Sequence, residues 1–83
     1  MNTEARIREA SVSNEAITAH LVDGRTVSVP LSWSWRLSEA TPEQRQRFEL
    51  LGSGQGIRWP ELDEDISAEG MLFGIPTRRL VPR

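Results

Sequence analysis

The chain has 83 residues, 37% of them hydrophobic, with three Trp and two Phe as its only aromatics, which suffices for one compact core and not for two. It contains no cysteine, which removes disulfides, thiolate zinc sites and thiol nucleophiles, and which fits a reducing cytoplasm. All ten cationic residues are arginines, so Schiff-base and P-loop lysine chemistry is absent, and the net charge of −2 gives no global positive field to attract nucleic acid.

The first elements in chain order are strands. "RIREASVS" alternates, with Ile7, Ala10 and Val12 as its small apolar set, and "EAITAHLVDG" alternates cleanly through Ile17, Ala19 and Leu21. Asn14 lies in a turn between them. Asp23-Gly24 then marks a hairpin of the type with positive φ at both central residues. "RTVSVPL" follows, with Val27, Val29 and Leu31 on one face, and Pro30 restricts it to a sheet edge or a strand end. Residues 5 to 31 therefore read as an antiparallel meander.

"SWSWRLSEA" spaces Trp33, Trp35 and Leu37 two apart, which suits either a continuing strand or a helical turn. "TPEQRQRFELLG" predicts a helix over 42–51, with Thr41 as N-cap, Pro42 in the first turn, Gln44 completing a capping box and Gly52 as the stop. "GSGQG" reads as a flexible link over residues 52 to 56; no Lys-Ser/Thr follows to make it a phosphate loop. "IRW" then predicts a short fourth strand ended by Pro60, with Ile57 and Trp59 facing one way. Ser67 caps a last short helix that Gly74 terminates. Beyond it, "IPTRRLVPR" has two prolines and no period, which predicts a flexible Arg-rich tail over 76–83 after a single domain over 1–75. The expected fold is α+β: a small antiparallel sheet of three to four strands with two short helices. A chain this short buries only roughly 60–65% of its unfolded surface, so a second copy covering more apolar area is an expected partner.

Candidate chemistry is sparse. The one histidine, His20, shares a strand face with Thr18 and has no nucleophile with a recognisable signature to serve, so no catalytic residue is assigned. The run "ELDED" places Glu61, Asp63, Glu64 and Asp65 within five positions, but "DEDISAEGMLFG" lacks the glycine and the bidentate glutamate of a calcium loop, so no metal or cofactor is assigned. Two readings of the run remain. Either Leu62 and Ile66 anchor a solvated turn, or the carboxylates beside Trp59 form a docking surface for Arg or Lys of a basic partner. Three tryptophans are many for so small a sheet, and at least one is expected to be partly exposed and to mark a binding face. A nucleic-acid reading can be built from Arg6, Arg8, Arg45 and Arg47 with the tail's Arg78, Arg79 and Arg83 and Trp stacking, but Glu4, Glu9, Glu43 and Glu49 interleave with the arginines and argue against direct binding. No apolar run is long enough to cross a membrane, and the start "MNTEARIREA" is unlike a signal peptide, so the cytoplasm is the expected location.

The stretch from Leu21 to Gly74 resembles a small bacterial and phage family, domain-of-unknown-function family 2442. The residues that carry the likeness are "DGRTVSVPL", then "WRLSEATPEQR", then "GIRWPELDEDIS". The first twenty residues match only in strand pattern, and the tail lies outside it. The resemblance implies a compact α+β domain, in relatives sometimes fused to a helix-turn-helix domain and often encoded beside another small protein in a toxin–antitoxin-like arrangement. It implies an antitoxin-like role, and it carries over no catalytic residue. The expected function is a non-enzymatic module that binds and neutralises a small toxin-like, basic protein through Trp59, Glu61, Asp63, Glu64, Asp65 and Arg45 of the 42–51 helix. The alternative is a nucleic-acid-associated regulator using the arginines of the tail.

Overall fold

Alternating small and β-branched side chains make the first third of the chain a meander. In the computed structural model, which describes residues 5–74, β1 (Ile7–Val12), β2 (Ala16–Leu21) and β3 (Thr26–Pro30) pair antiparallel in that order. Ile17, Ala19 and Leu21 of β2 point into the core, while Thr18 and His20 stand on the opposite, polar face. Ser13 builds the β1–β2 turn, its Oγ accepting from the N–H groups of Glu15 and Ala16 at 3.1 and 3.0 Å.

The β2–β3 connection differs from the two-residue turn read from Asp23-Gly24. Only Gly24 has positive φ, at +99°, and Leu21 N–H reaches Arg25 O at 2.8 Å, so the loop spans Val22, Asp23 and Gly24. Asp23 braces it by accepting from the Arg25 backbone N–H at 3.1 Å and pairing with the Arg25 guanidinium at 2.8 Å. The Arg25 backbone N–H, followed by the Arg25 side chain, holds the Asp23 carboxyl below the usual aspartate range.

The Trp33–Trp35–Leu37 segment is helical. A 3-10 turn over Leu31–Trp33 runs into α1 (Trp35–Ser38), whose N-cap is Ser34. The capping box at Thr41 and Gln44 forms as the sequence suggests, but α2 spans only Pro42–Arg45 in place of 42–51. Two tertiary contacts end it early. The Gln46 side chain donates to Val12 O at 2.7 Å, and Glu49–Leu51 becomes a strand, β4, with Leu50 opposite Ile57. Local helix propensity over so few residues is weak against such pairing.

β4, β5 (Gly56–Trp59) and β6 (Glu64–Ser67) form a second antiparallel sheet in that order. α3 (Ala68–Phe73) follows directly, capped by Ser67 and closed by Gly74 at φ +74°, as the sequence indicates. The protein is thus a small α+β fold, with two three-stranded sheets and three short α-helices among the described residues where one sheet and two helices were expected. Both sheets, α1 and α3 contribute to one apolar cluster, in which Ile17, Leu37, Ile57 and Trp59 are completely buried. The 76–83 tail, with Arg78, Arg79 and Arg83, lies outside the described residues.

The sheets are joined backbone to backbone. Ile7 N–H donates to Gly54 O at 2.7 Å, and a Cβ on Gly54, whose φ is +103°, would lie 2.4 Å from Ile7 O. The glycine-rich link is therefore a packed turn. Gly54→Ala should destabilise the fold by about 2 kcal/mol or more in urea denaturation, because clash adds to backbone strain. Gly24→Ala, at φ +99° with nothing within 4 Å, should cost only about 1 kcal/mol. For Asp23, NMR titration should give a pKa below that of an unstructured aspartate. A depressed folded-state pKa means that its small stabilising effect is present at neutral pH and is lost as pH falls through that value.

Candidate functional site

Pro60 removes a ladder donor and ends β5, after which Pro60–Leu62 makes one 3-10 turn. Asp63 then takes the left-handed conformation, φ 51° and ψ 45°, and reverses the chain into β6. Aspartate tolerates this region better than most residues. The register pairs Trp59 with Glu64, Arg58 with Asp65 and Ile57 with Ile66. Directly opposed residues share a sheet face, so Trp59, Glu64, Ile57 and Ile66 turn inward while Arg58 and Asp65 turn out.

The "ELDED" run thereby divides. Glu64 is buried, its Oε2 accepting from Ser34 Oγ and its Oε1 from Asp65 N–H at 3.2 Å. Ser34, itself fully buried, also accepts from Leu37 N–H at 3.2 Å and so starts α1. Glu61, Asp63 and Asp65 remain exposed, and each meets an arginine of the same chain. Arg47 pairs with Glu61 at 2.8 Å, and Arg58 holds both Asp63 and Asp65 at 3.2 Å. Pairs this exposed contribute little to stability, because solvent screens them.

Two expected contact residues are scaffold. Trp59 is completely buried, its Nε1 donating to Arg45 O at 2.9 Å and its ring lying 6.0 Å from that of Phe48, so it presents no surface to a partner. Glu64 is withdrawn in the same way, because the register puts it on the face of Trp59. Arg45 is largely engaged inside the chain: its guanidinium donates to Leu37 O at 2.9 Å, Ser38 O at 3.1 Å and Asn14 Oδ1 at 3.3 Å. It satisfies the carbonyls at the end of α1, a common task for a basic side chain.

The exposed tryptophan is found elsewhere. Trp33 and Trp35 are both half-buried, and the Arg36 Cζ lies 5.2 Å from the Trp35 ring centroid, within cation–π range. The same guanidinium donates to Asp63 O. One arginine thus ties Trp35 to the left-handed residue at the loop tip, and the side chain of Asp63 is 84% exposed there. Sequence reading missed Arg36 and Arg58, and it considered Arg47 only for nucleic acid. For Arg58 a signal existed: folding "GIRW" back on "EDIS" about Pro60 places it opposite Asp65.

His20 stands on the outer face of the first sheet, across from Glu9 and 3.2 Å from Thr26 Oγ1, among Thr18 and Ser28. Among the described residues, no group of three or more His, Cys, Asp or Glu side chains could hold a metal ion. No helix of the described residues is long and apolar enough to cross a membrane.

The family model of DUF2442, a protein family of unknown function, matches residues 7–77. The chain belongs to this family. A crystal structure of a protein of unknown function from Rhodospirillum rubrum ATCC 11170 is 30% identical, with a TM-score of 0.79 and coverage of 93% of this chain and 95% of that one. The solution structure of uncharacterized protein CV0863 from Chromobacterium violaceum is 27% identical, with a TM-score of 0.74, covering 88% of this chain and 69% of that one. No curated protein matches.

The two kinds of carboxylate separate by mutation. Asp63→Asn should leave urea stability within about 0.5 kcal/mol of the parent, because asparagine accepts the left-handed conformation and the site is exposed. Glu64→Ala should cost about 2–3 kcal/mol, because it leaves the Ser34 hydroxyl and the Asp65 N–H without their acceptor.

Proposed function

We propose that this member of DUF2442 is a non-enzymatic, cytoplasmic protein-interaction module of antitoxin-like role, which binds and neutralises a small protein. The docking face is centred on Trp35, Arg36 and Asp63, flanked by Glu61 and Asp65. The observation that carries this reading is the shared Arg36 guanidinium, which meets the Trp35 ring and donates to Asp63 O. It fixes a half-buried indole beside an exposed carboxylate on a braced loop. Such preorganisation lowers the ordering cost of association.

Charge on this face is balanced, since Glu61, Asp63 and Asp65 are answered by Arg47 and Arg58. A basic partner does not meet a bare acidic patch. It presents one or two Arg or Lys groups that share Asp63 and Asp65 with Arg58, which governs specificity and encounter rate, while a pocket for Trp35 supplies most of the affinity. The mechanism is occlusion of the partner's active surface.

The test is affinity capture from nuclease-treated host lysate, followed by direct binding measurements with the purified captured protein. The parent is compared with Trp35→Ala and Asp63→Arg, each checked for folding, and with Glu9→Gln on the outer face of the first sheet. The parent and Glu9→Gln should bind one small protein equally. Trp35→Ala should weaken it by roughly thirtyfold, and Asp63→Arg by roughly tenfold, chiefly through the association rate. Equal binding by all four would move the contact off this face, and no stoichiometric partner would end the interaction reading.

A further inference from the structure

The four strands at the sheet edges are treated unequally. β1 is protected at its two ends and by a bulge: Ile7 N–H is taken by Gly54 O, Val12 O by the Gln46 side chain, and the register slips between Ile7 and Glu9, placing Arg8 in the bulge. β4 is three residues long. On β6, the Asp65 N–H is covered by the carboxylate of Glu64. Short strands, bulges, charges and covering side chains are the devices by which proteins protect sheet edges from pairing.

β3 has none of them along Thr26–Ser28. Its sequence, "TVSVP", is uncharged and carries two valines and a threonine. The phase of its hydrogen bonding follows from its two ends, where Leu21 N–H donates to Arg25 O and Leu31 N–H to Glu15 O, both at 2.8 Å. Alternation between those bonds directs the backbone groups of Val27 and Val29 to β2, and those of Thr26, Ser28 and Pro30 away from it. Among the described residues nothing pairs with the outward N–H of Thr26 or Ser28. α3 also meets β3, and there the buried side chains are Val29, Ala68 and Met71 of the common core.

We propose that β3 is the interface of a symmetric dimer, in which two copies of this chain pair antiparallel through Thr26–Pro30 into one six-stranded sheet. The occupant is a second copy because the edge is complementary to itself. A two-fold axis at Ser28 lets the two Ser28 residues exchange N–H···O=C bonds reciprocally, and each Thr26 N–H reaches the Pro30 carbonyl of the other copy. Pro30 lacks an N–H, and its carbonyl, which begins the 3-10 turn over Leu31–Trp33, keeps a second lone pair for this bond. Val27, half-buried in the single chain, falls opposite Val29 of the second copy. No charge on either strand opposes the pairing, and the exposed Thr18–Ser28 hydroxyl contact, at 2.7 Å, shows that Ser28 projects from the outer face, where substitution leaves the core intact. An isologous contact of this kind closes on itself and does not propagate into fibres.

The dyad makes a sharp test, since residue 28 faces itself. Ser28→Glu and Ser28→Lys are prepared separately, checked for parent-like circular dichroism, and compared with the parent by light scattering on a size-exclusion column and by native mass spectrometry across the micromolar range. The parent should be a dimer. Each variant alone should dissociate at roughly tenfold or more higher concentration, because like charges lie directly opposite, and an equimolar mixture should recover a mixed dimer as stable as the parent. Amide exchange should also show concentration-dependent protection of Thr26 and Ser28. A parent that stays monomeric at the highest concentration would overturn the proposal. So would a dimer that neither charge disturbs, or one whose protected amides lie elsewhere, including one formed through the Trp35 face.

Discussion

The burial of Trp59 is the constraint from which much of the second half of the molecule follows. Enclosing an indole removes about 200 Å² from water, an upper-limit gain of about 5 kcal/mol, which is large beside the net stability of a small domain. Its N–H must be answered inside, and Arg45 O answers it at the end of α2. Phe48 packs against the ring, and the chain leaves this corner as β4 and not as further turns of helix. The same corner holds the Arg45 guanidinium on the last carbonyls of α1, so both short helices are anchored around one aromatic side chain.

Antiparallel pairing extends that constraint to the acidic loop. Because Glu64 lies opposite Trp59, it must face inward, and a carboxylate there requires donors; Ser34 Oγ and Asp65 N–H supply them. Ser34 thereby acts as helix cap and as donor to an acid thirty residues away. The loop tip is then held from both sides, by the left-handed turn at Asp63 and by Arg36 reaching its carbonyl. A buried, fully satisfied polar link of this type specifies geometry more than it adds stability. Here it sets α1, with Trp35 and Arg36, against the loop that carries Asp63.

The proposed docking face and the proposed dimer edge rest on different physics. The first uses side chains whose charges are already balanced within the chain, which favours selectivity over indiscriminate attraction. The second uses main-chain groups that the fold leaves outward along Thr26–Ser28 of β3, whereas the other edge strands among the described residues are short, bulged or covered at particular groups. The two surfaces belong to different segments, β3 in one case and α1 with the 60–65 loop in the other, so one residue set can be altered without editing the other.

The sequence by itself determined the elements that depend on neighbours in the chain. Alternation set the three-strand meander, Thr41 with Gln44 and Ser67 with Gly74 set their helix ends, and "GIRWPELDEDIS" carried the family likeness that residues 7–77 bear out. These are effects of periodicity and capping, which act over a few residues. Only the tertiary structure decided which tryptophan is enclosed, which of four nearby acids is buried, and where the helix after Thr41 stops. Those outcomes turn on partners far along the chain: Trp59 on Arg45 O, Glu64 on Ser34 and Gln46 on Val12 O. Composition leaves such pairings open, because the identity of an acid or an indole is the same whether the sheet register turns it toward the core or toward water.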